Sequence, residues 1–471
     1  MMRLLVLIFS LALAPTLLAQ DGPWSLEDCI QYAIDNNITI QQAELNIQSN
    51  AAQLKTDQFG RLPNLNASTG FFLNWGRFVD PTTNDFITEN TNATSVNLNS
   101  SVPLFNAGRI NNTIKQTKAN LNASEQAQDN AELNVALSIV QAYLNVLLAK
   151  ESLQVAEEQL TINQNQVEIA EKQVRAGNLP EGNLLEAKAQ LAQAEFQQVD
   201  AANQVDLALL TLQLSMLLEP NPEFDIQPLA EEIDETAIAA YESPEALYQQ
   251  ALSTHPSIQQ AEYQLKAAEL GVDVARSNYY PSLTLSGGVG TTSSSARKNL
   301  ETVMSGVDTV AFVAGTGESV VAPSFDFEEN PYPFVDQWQD NFNRQVGLSL
   351  QIPIFNRNQV KNSVDQSVIN VQAAELQRQE RMNQLRQNIY TAYRNAEANA
   401  KRYAAAQNNL DATQLAFEYT QKRYEQGVVT PFDFNIAQNN LNIAQANLLQ
   451  AKYQYLLSLK VLDYNIGKSI N

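Results

Sequence analysis

The chain repeats itself, and whatever one half folds into, the other half must fold into as well. Ser25-Leu26-Glu27 through Leu65 realigns with Ser243-Pro244-Glu245 through Leu283 at a constant offset of 218, with Ile40-Gln41-Gln42-Ala43-Glu44 recurring as Ile258-Gln259-Gln260-Ala261-Glu262. Past a 32-residue insertion the offset becomes 250, where Pro103, Phe105 and Asn106 meet Pro353, Phe355 and Asn356, and Gly177 meets Gly427. A repeat this long fixes the architecture before any single element is assigned. It places a first copy at 20–218, a Pro-containing linker at 219–242, a second copy at 243–467 and a short tail at 468–471.

Each copy reads helix, strand, strand, long helix, tight turn, returning helix. Ser25 and Ser243 are N-cap residues, the first with Asp28 three positions on and the second with Pro244 at the first helical position. Asn36-Asn37 and Pro256 break the opening helices at matching places. Neither Gly nor Pro occurs between Gly108 and Gly177, or from Arg357 to Gln426. Long helices are therefore expected over 107–176 and 357–426, each roughly 100 Å at about 1.5 Å per residue. Return helices follow at 182–218 and 431–466. Apolar and small residues keep a 3-4 spacing along both arms, as in Ala187, Leu191, Ala194, Ala201, Val205, Ala208 and Leu212. That is a closely packed coiled-coil seam. A soluble four-helix bundle would show the same seam, but it would not explain the strands.

Four segments alternate with period two, and they predict strands at about 63–75, 92–104, 281–291 and 344–354. Leu65, Ala67, Thr69, Phe71, Leu73 and Trp75 share one face, and Val346, Leu348, Leu350, Ile352 and Ile354 do so in the second copy, with Asn, Ser, Thr and Gln largely between. One apolar and one wet face over about ten residues suits a membrane barrel, although a soluble amphipathic sheet alternates in the same way. Trp75, Phe78, Tyr279, Tyr280 and Trp338 stand where interfacial aromatics would, or simply pack. Four strands cannot close a barrel, which takes about eight, so a membrane reading requires an oligomer. The stretch 292–343, rich in Gly, Ser, Pro and acidic residues, reads as a long outward-facing loop.

Composition removes other classes. With 51 acidic and 29 basic residues, a net charge of -22 excludes a nucleic-acid binder working through a basic surface. One Cys and one His leave no disulfide framework and no Cys/His metal site, and no cofactor motif or Gly-rich phosphate loop with Lys is present. The lone His255, beside Pro256, reads as a solvated or capping residue with no nucleophile to activate, against a hydrolase. The start, Met1-Met2-Arg3 followed by the apolar run Leu4 to Ala14 and Ala19-Gln20, reads as a signal peptide over 1–19. Cys29 falls inside a helical pattern, away from the cleavage region and from lipid attachment. No later stretch has eighteen consecutive apolar residues, so no transmembrane helix is expected.

The duplicated order, the Pro-Leu-Phe-Asn-Ala-Gly run from Pro103 to Gly108, and the pattern Tyr424-Glu425-Gln426-Gly427 followed by Asp433 and Ala437 together resemble the TolC family of outer-membrane efflux channels. The resemblance covers about Ser25 to Gly467. It implies a mainly α fold with a β-barrel portion: three protomers forming a twelve-stranded outer-membrane barrel continued by a twelve-helix periplasmic tunnel. It further implies a passive gated conduit in contact with outer-membrane lipid, served by a periplasmic adaptor and an inner-membrane pump. Small-molecule efflux and type I protein secretion would use the same conduit. A periplasmic coiled-coil adaptor is the rival reading, which the four matched strands oppose.

On this resemblance Pro103, Gly108 and Pro353 mark barrel-to-helix junctions, and Gly177, Asn183, Tyr424, Gly427 and Asp433 belong to the periplasmic gate. The second copy reads Pro353-Ile354-Phe355-Asn356-Arg357-Asn358, without the junction glycine. At the tips Asn183 replaces a family aspartate, Val429 an arginine and Ile436 a second aspartate, so the family's ionic latch cannot form at these positions. Tyr424 is expected to donate a neutral hydrogen bond to Asn183. Asp433 reads either as a helix-start residue alone or also as part of a three-fold ring that binds cations.

Overall fold

The computed structural model describes residues 22–79, 84–229 and 237–468. The leader at 1–19, residues 469–471 of the tail and residues 230–236 of the linker lie outside the described residues. The described chain divides into two compact units. One comprises the described parts of Met1–Ala51, Ala119–Lys266 and Gln372–Asn471, and the other Ala52–Lys118 and Ala267–Val371.

The first copy opens with α1 (Leu26–Asn36) and α2 (Ile38–Phe59). Ser25 caps α1 in a reciprocal box with Asp28, whose carboxylate accepts from the Ser25 backbone at 3.1 Å while Ser25 Oγ accepts from Asp28 N at 3.1 Å. Asn37 then turns extended (φ -68, ψ 126), and its Oδ1 accepts from Thr39 N at 2.8 Å to restart the helix. The strands β1 (Asn66–Val79) and β2 (Phe86–Phe105) lead to α3 (Arg109–Arg175) and α4 (Glu181–Ser215).

The second copy repeats this with α5 (Pro244–Thr254), α6 (Pro256–Ser277) and β3 (Ser282–Ser294). It then inserts β4 (Lys298–Phe312), β5 (Ser319–Pro331) and the short α7 (Phe334–Asp340) before β6 (Asn343–Gln351), α8 (Gln359–Glu425) and α9 (Pro431–Asn465). The stretch 292–343 is therefore a hairpin and a helix where a loop was expected. Val303, Val307, Val310, Val320, Val321, Phe325 and Phe327 give β4 and β5 the β-branched and aromatic content of strands, and Gly315 and Gly317 (φ +114 and +75) make the turn.

His255 stands at the offset from Asn37 and does the same work. Its backbone is extended (φ -71, ψ 124), and Nδ1 accepts from Ser257 N at 3.2 Å. It caps as expected but is not solvated, being 4% exposed, and burial lowers its pKa to about 4.

In the first unit the core gathers Cys29, Ile30 and Ala33 from α1, Ile139, Val140, Tyr143 and Val146 from α3, and Leu212 from α4. Burial pushes the Cys29 thiol up to about 12, with Asp28 adding to it. The expected linker contributes here too. Phe224 and Ile226 are buried in this core, and Tyr143 donates to the carbonyl of Gln227 at 2.6 Å. An 18-residue window of α3 has mean hydropathy 1.4, enough by length and composition to cross a membrane. The same helix supplies the core residues above, and 44% of that apolar window is buried inside the protein.

In the second unit the strands form one antiparallel sheet in the order β1-β2-β3-β6, while β4 and β5 pair separately. Among the described residues its two outer strands have one open edge each. Ala67, Thr69 and Phe71 pair with Leu98, Val96 and Thr94, so apolar residues collect on one face. Asn66, Ser68 and Gly70 pair with Asn99, Asn97 and Ser95 on the other. β2 continues through Pro103 by a register shift between Pro103 and Phe105, a place where a proline needs no ladder donor. β6 ends at Gln351, short of the expected 354, because the chain leaves the ladder before Pro353.

Candidate functional site

The long helices α3 and α8 are 67 residues each and the return helices 35 each. Both reversals are made by glycine. Gly177 has φ +74 and Gly427 φ +71, and in each the following amide reaches back five residues, Asn178 N to Gln173 O and Val428 N to Arg423 O, both 2.9 Å. This helix ending requires a left-handed residue, which glycine adopts without strain. A Cβ at either position would meet nothing within 4 Å, so only the backbone conformation demands glycine there.

The second tip restarts on Thr430, which caps α9 with Pro431 in the first turn. Asp433 accepts from Thr430 Oγ1 at 2.7 Å and from Thr430 N at 3.4 Å, and Thr430 Oγ1 accepts from Asp433 N at 3.2 Å. The exposed Asp433 carboxylate thus completes a capping box at the helix's positive end.

Tyr424 does not pair with Asn183. Its hydroxyl accepts from Gln166 Nε2 at 2.8 Å, joining α8 to α3, and both residues are buried. Asn183 lines the same small crevice, but its backbone N–H turns to Pro180 O at 3.1 Å. The ring of Tyr424 lies 4.8 Å from that of Phe434, which lies 5.5 Å from Phe417. Leu441 completes the cluster, and Ile162, Ile169, Val429 and Ala437 pack against it. Burial raises the Tyr424 pKa, and the Gln166 bond opposes that shift. Val429 serves this apolar plug at the position where an arginine was missing. Gln166 is the residue that sequence reasoning overlooked. The signal for it was a glutamine on an otherwise apolar seam position one turn from Ile162 and Ile169.

Above the plug the seam turns polar. Gln438 Nε2 donates to Gln159 Oε1 at 3.1 Å, and Gln159 Nε2 to Gln445 Oε1 at 3.3 Å. Gln159, Asn163 and Gln438 are buried, beside a cavity of about 400 Å³ that also meets Glu186 and Asn435. Lys188 and Glu171 tie α4 to α3 at 3.2 Å. Among the described residues no group of three or more His, Cys, Asp or Glu could hold a metal ion.

At the junctions Gly108 has φ +80 after Ala107 at +51, and Asn358 has φ +62 after Arg357 at +54. The second copy thus keeps the conformation without the glycine, because asparagine tolerates the left-handed region. Pro103 sits in the β2 bulge and Pro353 beyond the end of β6.

The family model described as "Outer membrane efflux protein" matches residues 29–216 and 247–468, one segment in each copy. The chain is similar to the probable outer membrane lipoprotein SilC of Salmonella typhimurium, 25% identical over 89% of this chain and 81% of that one. It is similar to the cation efflux system protein CusC of Escherichia coli K12, 26% identical over 90% and 82%. A crystal structure of CusC superposes with a TM-score of 0.76 at 21% identity, covering 96% of both chains. The alkaline protease secretion protein AprF of Pseudomonas aeruginosa is 22% identical over 99% of this chain and 89% of its own.

Proposed function

The chain belongs to the outer membrane efflux protein family and is an outer-membrane efflux channel, and on that premise we propose that three copies assemble into one gated conduit fed by an inner-membrane pump through a periplasmic adaptor. The observation that carries this is the sheet. Four strands are apolar on one face and wet on the other, with β1 and β6 unpaired at the edges. Edge pairing between three copies makes twelve strands, turns the apolar faces to lipid and leaves no open edge. A second feature agrees. On α4, Phe196, Val199, Leu207 and Leu214 form an exposed apolar stripe, as an inter-protomer seam needs.

The gate in this proposal is the pair of tips, where Gly177 and Gly427 set the turns, Tyr424 and Gln166 join two helices, and Asp433 rings the axis at the narrow end. The energy for transport comes from the pump. Protein secretion is the second reading, favoured by the full-length likeness to a relative named for protease secretion. Outer-membrane fractionation followed by sedimentation in detergent tests the assembly: the expected result is a membrane-extracted particle with the protein mass of three chains. Soluble monomer refutes it.

A further inference from the structure

The wet face of the sheet is built in rows. Asn66, Asn99, Gly288 and Gln345 stand abreast across the four strands, and Ser68, Asn97, Gly290 and Asn343 form the next row. The glycines are notches. A Cβ at Gly288 would sit 2.5 Å from Asn99 Oδ1, and one at Gly290 would sit 2.5 Å from Asn97 Oδ1. The two amides therefore lie down over the β3 backbone, where any side chain would displace them.

Gly70 is a third notch. Its Cβ would meet Phe72 Cε2 at 2.7 Å and Ser95 Oγ at 3.3 Å, so the Phe72 ring lies over Gly70 on this same face, 58% exposed. Below the first row a cavity of about 300 Å³ is lined in part by Asn64, Asn66, Asn99, Ser101, Ser286 and Gln345. Asn64 is fixed there, its Oδ1 accepting from Ser101 N at 2.7 Å. From Asn66 to Gly70 the track runs about 14 Å at ~3.4 Å per residue.

The chemistry of this surface is narrow. Every amide offers a donor and an acceptor side by side, and each serine adds a hydroxyl. No charged side chain stands in the two rows or in the row Gly70, Ser95 and Thr292 above them. An ionic solute finds no countercharge here, and an apolar one finds a single ring. A chain of hydroxyls with flat apolar CH faces finds partners for both. We infer that this face is a binding track for linear, neutral oligosaccharides, with Phe72 as the stacking platform and Asn97, Asn99 and Gln345 as the hydroxyl partners. This rests on the channel reading, which turns the wet face to the lumen.

The test is calorimetric titration of maltohexaose into the full-length protein, extracted from outer membranes in a detergent without a sugar headgroup. Saturable binding is expected with a dissociation constant in the millimolar range. Phe72→Ala and Asn99→Ala should each weaken it at least fivefold, while Phe72→Tyr keeps it. Polyethylene glycol of matched size, which accepts hydrogen bonds but donates almost none, should not bind. Where Phe72→Ala fails to assemble, Asn99→Ala on the solvated face carries the comparison. Absence of sugar binding by a membrane-extracted trimer, or equal binding by both alanine variants, overturns the track and leaves the channel reading standing. A protein recovered as soluble monomer overturns both.

Discussion

Replacing Tyr424 by Phe removes one oxygen and tests how the tip is held. The Tyr424 ring would keep its place against Phe434, 4.8 Å away, so the apolar plug survives. The change leaves Gln166 Nε2, which donated at 2.8 Å, without its acceptor in a site where the residue is 6% exposed. A neutral hydrogen bond contributes about 1 kcal/mol net, and an orphaned buried amide costs about 1–3 kcal/mol. Gln166→Leu should cost about the same by orphaning the tyrosine hydroxyl instead. In the double variant no polar atom is orphaned, so its cost should fall below the sum of the two singles by about 1 kcal/mol or more.

If the bond belongs to the closed tip, each single variant should raise the open-to-closed ratio about fivefold in planar-bilayer recordings, since 1.4 kcal/mol is a factor of ten. The ratio should be the same at 0.1 and 1 M salt, because no charge is involved. An effect present at low salt and lost at high salt would mean that an ionic contact holds the tip. Additive singles would mean that the two residues do not meet, and either result refutes the reasoning.

Three further outcomes follow from the same geometry. Gly427→Val forces a β-branched residue to φ +71, at about 1–2 kcal/mol or more; export assays should show reduced transport while heat-resistant trimers on gels stay intact. Asp433→Asn keeps an oxygen for the Thr430 cap and removes the charge, so thermal stability should hold within about 0.5 kcal/mol while single-channel cation selectivity and multivalent-cation block decline. His255 must stay neutral when folded, burial holding its pKa at about 4 against the ordinary 6.5 of a free imidazole, so its contribution to stability is whole above pH 6.5 and is lost as pH falls towards 4. The loss should be about 3 kcal/mol, and denaturant melts of His255→Asn, which can still accept from Ser257 N, should show a flatter pH dependence over that window.

What the sequence disclosed, and what it hid, follows from the range of the interactions. Caps and turns were legible because they close within a few residues: Ser25 with Asp28, Thr430 with Asp433, and glycine at both reversals. The strand alternation was legible because its period reports one wet face. The Gln166 to Tyr424 bond spans 258 positions, and the seam spacing that places Gln166 among Ile162 and Ile169 does not name its partner. The burial of Phe224 and Ile226 was hidden for the same reason, since prolines around them suggested a bare linker. The β4–β5 hairpin was lost to composition, its Gly, Ser and acidic residues outweighing the valines and phenylalanines that alternate between them.

The repeat itself carries the finest information, because it shows which physical roles are interchangeable. Asn37 and His255 share one backbone conformation and one bond to the amide two residues on, so an imidazole nitrogen substitutes for an amide oxygen when the turn is packed tightly enough to keep it neutral. Gly108 and Asn358 share a left-handed φ, so the missing junction glycine marks no missing junction. The copies also differ where no role is shared: Thr430 caps α9 through its side chain, while Pro180 at the matching place before α4 makes no side-chain cap. Among the described residues the second copy alone inserts a hairpin between its strands, held at its base by Gln337, which donates to Ser294 O at 3.1 Å and accepts from Ser294 N at 2.8 Å. The duplication accounts for the four strands of the sheet and for the two tips, and the hairpin stands outside the shared pattern.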